Sequence, residues 1–210
     1  MKYILVLVAL ITISTQLHTS SFWTKKGIDV KDQVLEQIYP KAINVGTQCA
    51  TVLLNTDPYH YNGVVRSGYL SVGKGNSVLG FTFYGKENAD LSEISKYPIV
   101  FWLNGGPGSS SQLGNFLELG PFRLKSGRMT PYDIVRNNDS WTKEYNVIFV
   151  DQPVGTGISY ADESVKNVYC TSMDCVATDF YQALKELYQN PSGCFNQLKL
   201  KPDQPFVIFG

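Results

Sequence analysis

Pro98-Ile99-Val100-Phe101-Trp102-Leu103 runs directly into Asn104-Gly105-Gly106-Pro107-Gly108-Ser109-Ser110-Ser111. The first half is an unbroken apolar run, the pattern of a strand covered on both faces. The second half places three glycines and a proline at four successive positions. Such a cluster is costly unless the backbone must take unusual angles or let something approach closely. Three hydroxyl residues then lead into a predicted helix, Gln112 to Glu118. The N–H groups of a turn like this can converge on an anion or on a developing oxyanion. It lacks the Gly-Lys-Ser/Thr of a phosphate-binding loop and the Gly-x-Gly-x-x-Gly of a dinucleotide site. The plain alternative is a tight turn and nothing more.

The same grammar recurs on both sides. Asn146 to Val150 repeats the apolar run and ends at Asp151, and Pro205 to Phe209 repeats it again and ends at Gly210. Asp174 to Gln189 places Val176, Phe180, Leu184 and Leu187 at helical spacing. Upstream, Ser67 to Val72 and Ser77 to Tyr84 read as two strands joined by Gly73-Lys74-Gly75-Asn76, a hairpin. Asp29 to Tyr39 reads as a short amphipathic helix stopped by Pro40. Apolar strands alternating with helices imply parallel strands and crossovers, so the fold class is α/β. Ligands of such sheets sit beyond the carboxyl ends of the strands, where the glycine loop lies.

The chain has 210 residues, 18 Lys+Arg, 18 Asp+Glu and 43% hydrophobic residues. That excludes a disordered polyelectrolyte. It also argues against nucleic acid as a partner, since no basic excess exists to neutralise phosphates. Residues 1–21 read as a secretory signal peptide: Lys2, an apolar run from Tyr3 to Ile13 too short to span a bilayer, then small polar residues. No membrane association is expected once it is cleaved. An oxidising route makes Cys49, Cys170, Cys175 and Cys194 disulfide candidates, with three pairings open. The absence of Cys-x-x-Cys and of a histidine pair argues against zinc, and no metal or cofactor is expected. Asn138-Asp139-Ser140 is a glycosylation sequon, whereas Asn190-Pro191-Ser192 is excluded by its proline.

Several stretches in series, Ser67-Gly68-Tyr69-Leu70, Trp102 to Ser111, Glu118-Leu119-Gly120-Pro121-Phe122, Ser140-Trp141 and Asn146 to Tyr160, make the chain resemble the serine carboxypeptidase family of α/β-hydrolases. The resemblance implies an α/β-hydrolase-type sheet, here incomplete, and the removal of C-terminal residues from peptides or proteins through an acyl-enzyme. It implies that Gly106 supplies a backbone donor to the oxyanion hole. It implies that Asn104, Gly105 and Glu118 bind the substrate's terminal carboxylate. Two carboxylates can hydrogen-bond only when they share a proton, so an acidic working range is expected. The expected compartment is the secretory pathway, ending in a lysosome or vacuole or outside the cell.

Ser109 stands where the family's loop commonly carries cysteine, so no disulfide pattern carries over. Asp151 is read as scaffold, because hydrolases of this fold run Ser, then Asp, then His. No Gly-x-Ser-x-Gly is present. The nearest match, around Ser159, lacks the last glycine. His60, the one histidine beyond residue 21, precedes every expected core strand. Gly210 matches the first glycine of the nucleophile elbow, so the triad is expected beyond Gly210. Residues 22–210 are then the N-terminal part of one domain, inactive alone and exposing a sticky edge strand. The alternatives are a non-catalytic secreted binding protein, or an acyltransferase on the same scaffold.

Overall fold

A computed structural model describes residues 49–51, 61–73, 75–124, 134–189 and 197–210. The predicted signal peptide, the predicted helix at 29–39, His60 and Cys194 lie outside the described residues, as does the side chain of Cys49. The core is a six-stranded mixed sheet of β1 (Cys49–Thr51), β2 (Val65–Ser71), β3 (Val78–Tyr84), β4 (Ile99–Trp102), β7 (Asn146–Val150) and β8 (Phe206–Phe209). Their spatial order is β1-β2-β3-β7-β4-β8. Between β4 and β7 in sequence, β5 (Phe122–Leu124) and β6 (Ile134–Arg136) form a separate antiparallel ribbon.

The hairpin reading holds. β2 and β3 pair antiparallel from Val65↔Tyr84 to Ser71↔Val78, and Gly73 and Gly75 take positive φ in the connection. β3 joins the rest of the sheet by pairing antiparallel with β7. β7, β4 and β8 are mutually parallel, as alternating strands and crossovers require. One face packs Leu70, Leu79, Phe81, Phe83, Phe101 and Ile148 against the long helix α1 (Met173–Gln189). The helix buries Val176, Asp179, Ala183 and Leu187, a stripe at three- to four-residue spacing. The other face packs Tyr84, Val100, Val147 and Phe149 under Tyr61, Phe122, Ile134 and Trp141. Fully burying side chains of this size contributes about 1.5–3 kcal/mol each.

Carboxamides finish the end of the sheet remote from the glycine loop. Asn146 Nδ2 and Gln204 Nε2 both donate to the carbonyls of Ile94 and Tyr97, at 2.6–3.0 Å. Those carbonyls belong to the 3-10 turn before β4, so the starts of all three parallel strands are tied to one point. Of the three open cysteine pairings, the structure contains Cys170–Cys175, with 5.4 Å between Cα atoms, at the start of α1. Cys170, Cys175 and Asp179 bring three potential ligand atoms within 4.8 Å, but the disulfide engages both sulfurs.

One strand pair was not expected. The ribbon β5–β6 carries no strong alternation in sequence and forms because Phe122 and Ile134 cap the second apolar cluster. β8 has the composition of a buried strand and is the exposed edge that was expected: Phe206, Val207, Ile208 and Phe209 are each 46–48% exposed. Only one side of β8 is paired among the described residues.

Candidate active site

The glycine loop leaves β4 at the carboxyl end of the sheet. Gly106 and Gly108 adopt φ of +119° and +110°, values that explain two of the three glycines. The Gly106–Pro107 peptide is cis, and residues 105–109 are exposed. Trp102 Nε1 donates to Asn104 Oδ1 at 2.7 Å. That bond occupies the acceptor end of the Asn104 amide and leaves its Nδ2 donors for another acceptor. The Asn104 N–H in turn donates to Ser111 Oγ at 3.0 Å, and the Ser111 hydroxyl donates to the Val150 carbonyl at 2.5 Å. Thus β4, its loop and the end of β7 are stitched together by one serine.

Asp151 ties the loop down from below. Its Oδ1 accepts from Ser111 N–H at 2.6 Å and Ser110 Oγ at 2.9 Å, and its Oδ2 accepts from Ile158 N–H at 2.9 Å. A Cβ on Gly157 would sit 1.9 Å from Asp151 Oδ2, so only glycine lets that loop close over the carboxylate. Burial holds the Asp151 carboxyl above the usual carboxylate range, and its donors offset part of that shift. Asp151 is fully buried and engaged by three donors, a scaffold arrangement in keeping with its sequence reading. Ser159 is also structural: its Oγ donates to the Asp151 carbonyl and accepts the Gly80 N–H, at 2.5 and 2.7 Å.

Glu118 lies on the turn that follows the loop. Gly114–Leu119 winds with π-type hydrogen bonds rather than as the expected plain helix. Gly114 packs where a Cβ would be 2.2 Å from Trp102 Nε1, so this turn starts against the same tryptophan that holds Asn104. Leu113, Leu117 and Glu118 are exposed on it. The Glu118 carbonyl accepts from Asn137 Nδ2 at 2.9 Å and from Arg123 at 3.0 Å. The structure therefore links Asn104 to the turn bearing Glu118, with Gly105 and Gly106 exposed between them. Asn138 is also exposed, but in the turn after β6.

β8 completes the picture. Leu103 N–H donates to the Phe209 carbonyl at 2.9 Å, and a Cβ on Gly210 would sit 2.2 Å from the Leu103 carbonyl. The end of β8 thus lies at the foot of the glycine loop. The sequence reading did not single out Trp102, Asn137, Gln112 or Asn115 as site residues. The signal available for Gln112 and Asn115 was their polarity at inward positions of a short helix.

A mixed sheet with an exposed glycine-rich loop after a central parallel strand defines a hydrolase-type α/β scaffold. The serine carboxypeptidase family model matches residues 57–203, and the chain belongs to that family. It is 42% identical over 130 residues to pheromone-processing carboxypeptidase kex1 of Schizosaccharomyces japonicus, covering 61% of this chain and 23% of that protein. It is 41% identical over 130 residues to serine carboxypeptidase-like 50 of Arabidopsis thaliana, covering 60% and 28%. The fold matches the crystal structure of Kex1(Δ)p, a prohormone-processing carboxypeptidase from Saccharomyces cerevisiae, with a TM-score of 0.54 and 23% identity over 70% of this chain and 30% of that one. The matched stretch spans less than a third of each of these relatives.

Proposed function

We propose that the protein, at full length, is a serine-type carboxypeptidase acting on peptides or proteins with a free C-terminus. The observation that carries this reading is the approach of Gly210 to Leu103. A nucleophile following β8 would emerge beside the exposed Gly105-Gly106 backbone. In this reading the serine oxygen attacks the scissile carbonyl carbon, and the Gly106 N–H donates to the oxygen as it becomes negative. The C–N bond breaks, the terminal residue leaves with a proton, and water hydrolyses the acyl-enzyme.

Asn104 Nδ2, the Gly105 N–H and Glu118 bind the terminal carboxylate, Glu118 through a shared proton. Exposed Leu113 and Leu117 offer an apolar wall to the leaving side chain. Residues 1–21 direct the chain into the secretory pathway, towards a vacuole, a lysosome or the exterior, with Asn138 open to glycosylation. Residues 22–210 form the N-terminal part of one hydrolase domain.

The test uses full-length protein and paired peptides ending in a carboxylate or a carboxamide. The expected result is release of the C-terminal residue from the acid, abolished by a serine-directed inhibitor. Glu118→Ala, which leaves no donor in place of the shared proton, is expected to raise KM for the acid about tenfold, the loss of one hydrogen bond to a charged group. Cleavage of both peptides with equal efficiency would remove the carboxylate-recognition assignment.

A further inference from the structure

We propose that Asn115, anchored by Gln112 and Tyr84, is a positioning residue that aims Glu118 at the substrate carboxylate. This inference rests on the reading of Glu118 given above.

Asn115 is fully buried and Gln112 nearly so, on a turn packed over β3. Thr82 and Tyr84, two apart on one strand face, meet them. Thr82 Oγ1 donates to Gln112 Oε1 at 3.3 Å, and Asn115 Nδ2 donates to Gln112 Oε1 at 2.9 Å and to the Tyr84 hydroxyl at 3.3 Å. The arrangement is poorly satisfied. Gln112 Nε2 and Asn115 Oδ1 have no hydrogen-bond partner among the described residues. Buried polar atoms left in that state are unfavourable. An apolar pair of similar volume would avoid the penalty, so stability alone does not account for these side chains. What they supply is direction: a hydrogen-bonded amide fixes a turn's rotation where a leucine would only fill space.

Asn115 sits where that rotation is set. Its carbonyl accepts the Gly120 N–H at 3.1 Å, five residues on, which is the hydrogen bond that inserts an extra residue into the turn. Gly120 has an ordinary φ of −70°, so contact, not backbone freedom, explains its glycine. A Cβ there would lie 2.2 Å from both Asn115 O and Asn115 Oδ1. From the far side, Asn137 Nδ2 holds the carbonyls of Glu118 and Gly120, at 2.9 and 2.8 Å. Glu118 is therefore clamped between Asn115 and Asn137. Relaxation to ordinary α-winding would rotate the later residues by about 100° around the helix axis, turning the Glu118 carboxylate off its target.

The experiment compares kcat/KM for a peptide acid with that for its carboxamide, using the full-length protein. Asn115→Leu is expected to lower the acid-to-amide ratio about tenfold through KM for the acid, and Tyr84→Phe about threefold in the same direction. The carboxamide rates should hold, which a general loss of folded protein would not allow. Glu118→Ala calibrates the ratio. A collapsed ratio in Glu118→Ala alongside an unchanged ratio in both other variants overturns the positioning role and leaves the carboxylate assignment standing. An unchanged ratio in Glu118→Ala overturns both. Should Asn115→Leu fail to fold, Tyr84→Phe decides.

Discussion

β7 and β8 flank β4 as parallel neighbours, yet they end in opposite ways. β7 is buried along its whole length, and the residue after it, Asp151, cross-links two loops through three hydrogen bonds. β8 has an equally apolar sequence but stands about half exposed, with one edge unpaired among the described residues. The β7 side of the glycine loop is thus a finished scaffold whose geometry is over-determined. The β8 side brings the chain beside Leu103 with no strand on its outer edge among the described residues.

Removing the hub on the β7 side should produce the largest effect. Asp151→Ala strands the Ser111 and Ile158 N–H groups and the Ser110 hydroxyl in a buried site. The expected loss is about 3–5 kcal/mol, because buried donors left without acceptors keep their full desolvation penalty. Chemical denaturation measures it. A loss below about 1 kcal/mol would mean that the two loops hold their shape without the carboxylate.

Gly157→Ala approaches the same hub from the other loop. The residue has φ of +54°, and its new methyl would meet Asp151 Oδ2 and Ser110 Oγ. Left-handed backbone strain and the forced shift together predict a loss of about 2–3 kcal/mol. The thermal midpoint should fall by roughly 5–10 °C for a chain of this size. A variant as stable as the parent would show that the 151–160 loop can move away from Asp151 freely.

On the β8 side the expected consequence is association rather than unfolding. Ile208→Lys places a charge on the exposed strand, the device natural edge strands use against pairing. In the 210-residue chain it should reduce light scattering at matched concentration, with the melting temperature changed by no more than about 2 °C. Unchanged scattering would locate the sticky surface elsewhere.

The same contrast explains what could be read without coordinates. The hairpin, the parallel strands and α1 are written in local periodicity, so Val65–Ser71, Val78–Tyr84, Asn146–Val150 and Met173–Gln189 fall within two residues of their expected bounds. The glycine loop was legible because Gly106 and Gly108 need backbone angles that few other residues tolerate. The exposure of β8 was expected from the family resemblance and not from its own residues, since Phe-Val-Ile-Phe is equally apolar in a buried or an edge strand. The π-turn was invisible for a different reason. It depends on Asn115, Tyr84 and Asn137, which are far apart in sequence and carry no shared period. Trp102 belonged to the recognised motif, but its grip on Asn104 needed the geometry.

The smallest effect is a pH slope, again centred on Asp151. Burial raises its carboxyl above the ordinary range in the folded chain, so the folded state binds this proton more readily than the unfolded state. Its contribution to stability is therefore fully present below the ordinary carboxylate pKa and is lost as pH rises through the raised folded value. Asp90 and Asp162 act in the opposite sense. Hydrogen bonds from Ser92 and Ser164 lower their pKa values, so what they contribute is lost as pH falls. Asp90 is exposed and Asp162 only partly covered, and solvent screens them. Asp151→Asn isolates the buried term: it removes the titration and keeps the shape, at the cost of one mismatched donor facing Ile158. Across the acidic range, the parent's stability relative to this variant should decline as pH rises. A difference that instead grows with pH would mean that the donors around Asp151 outweigh its burial and that the site favours the charged form.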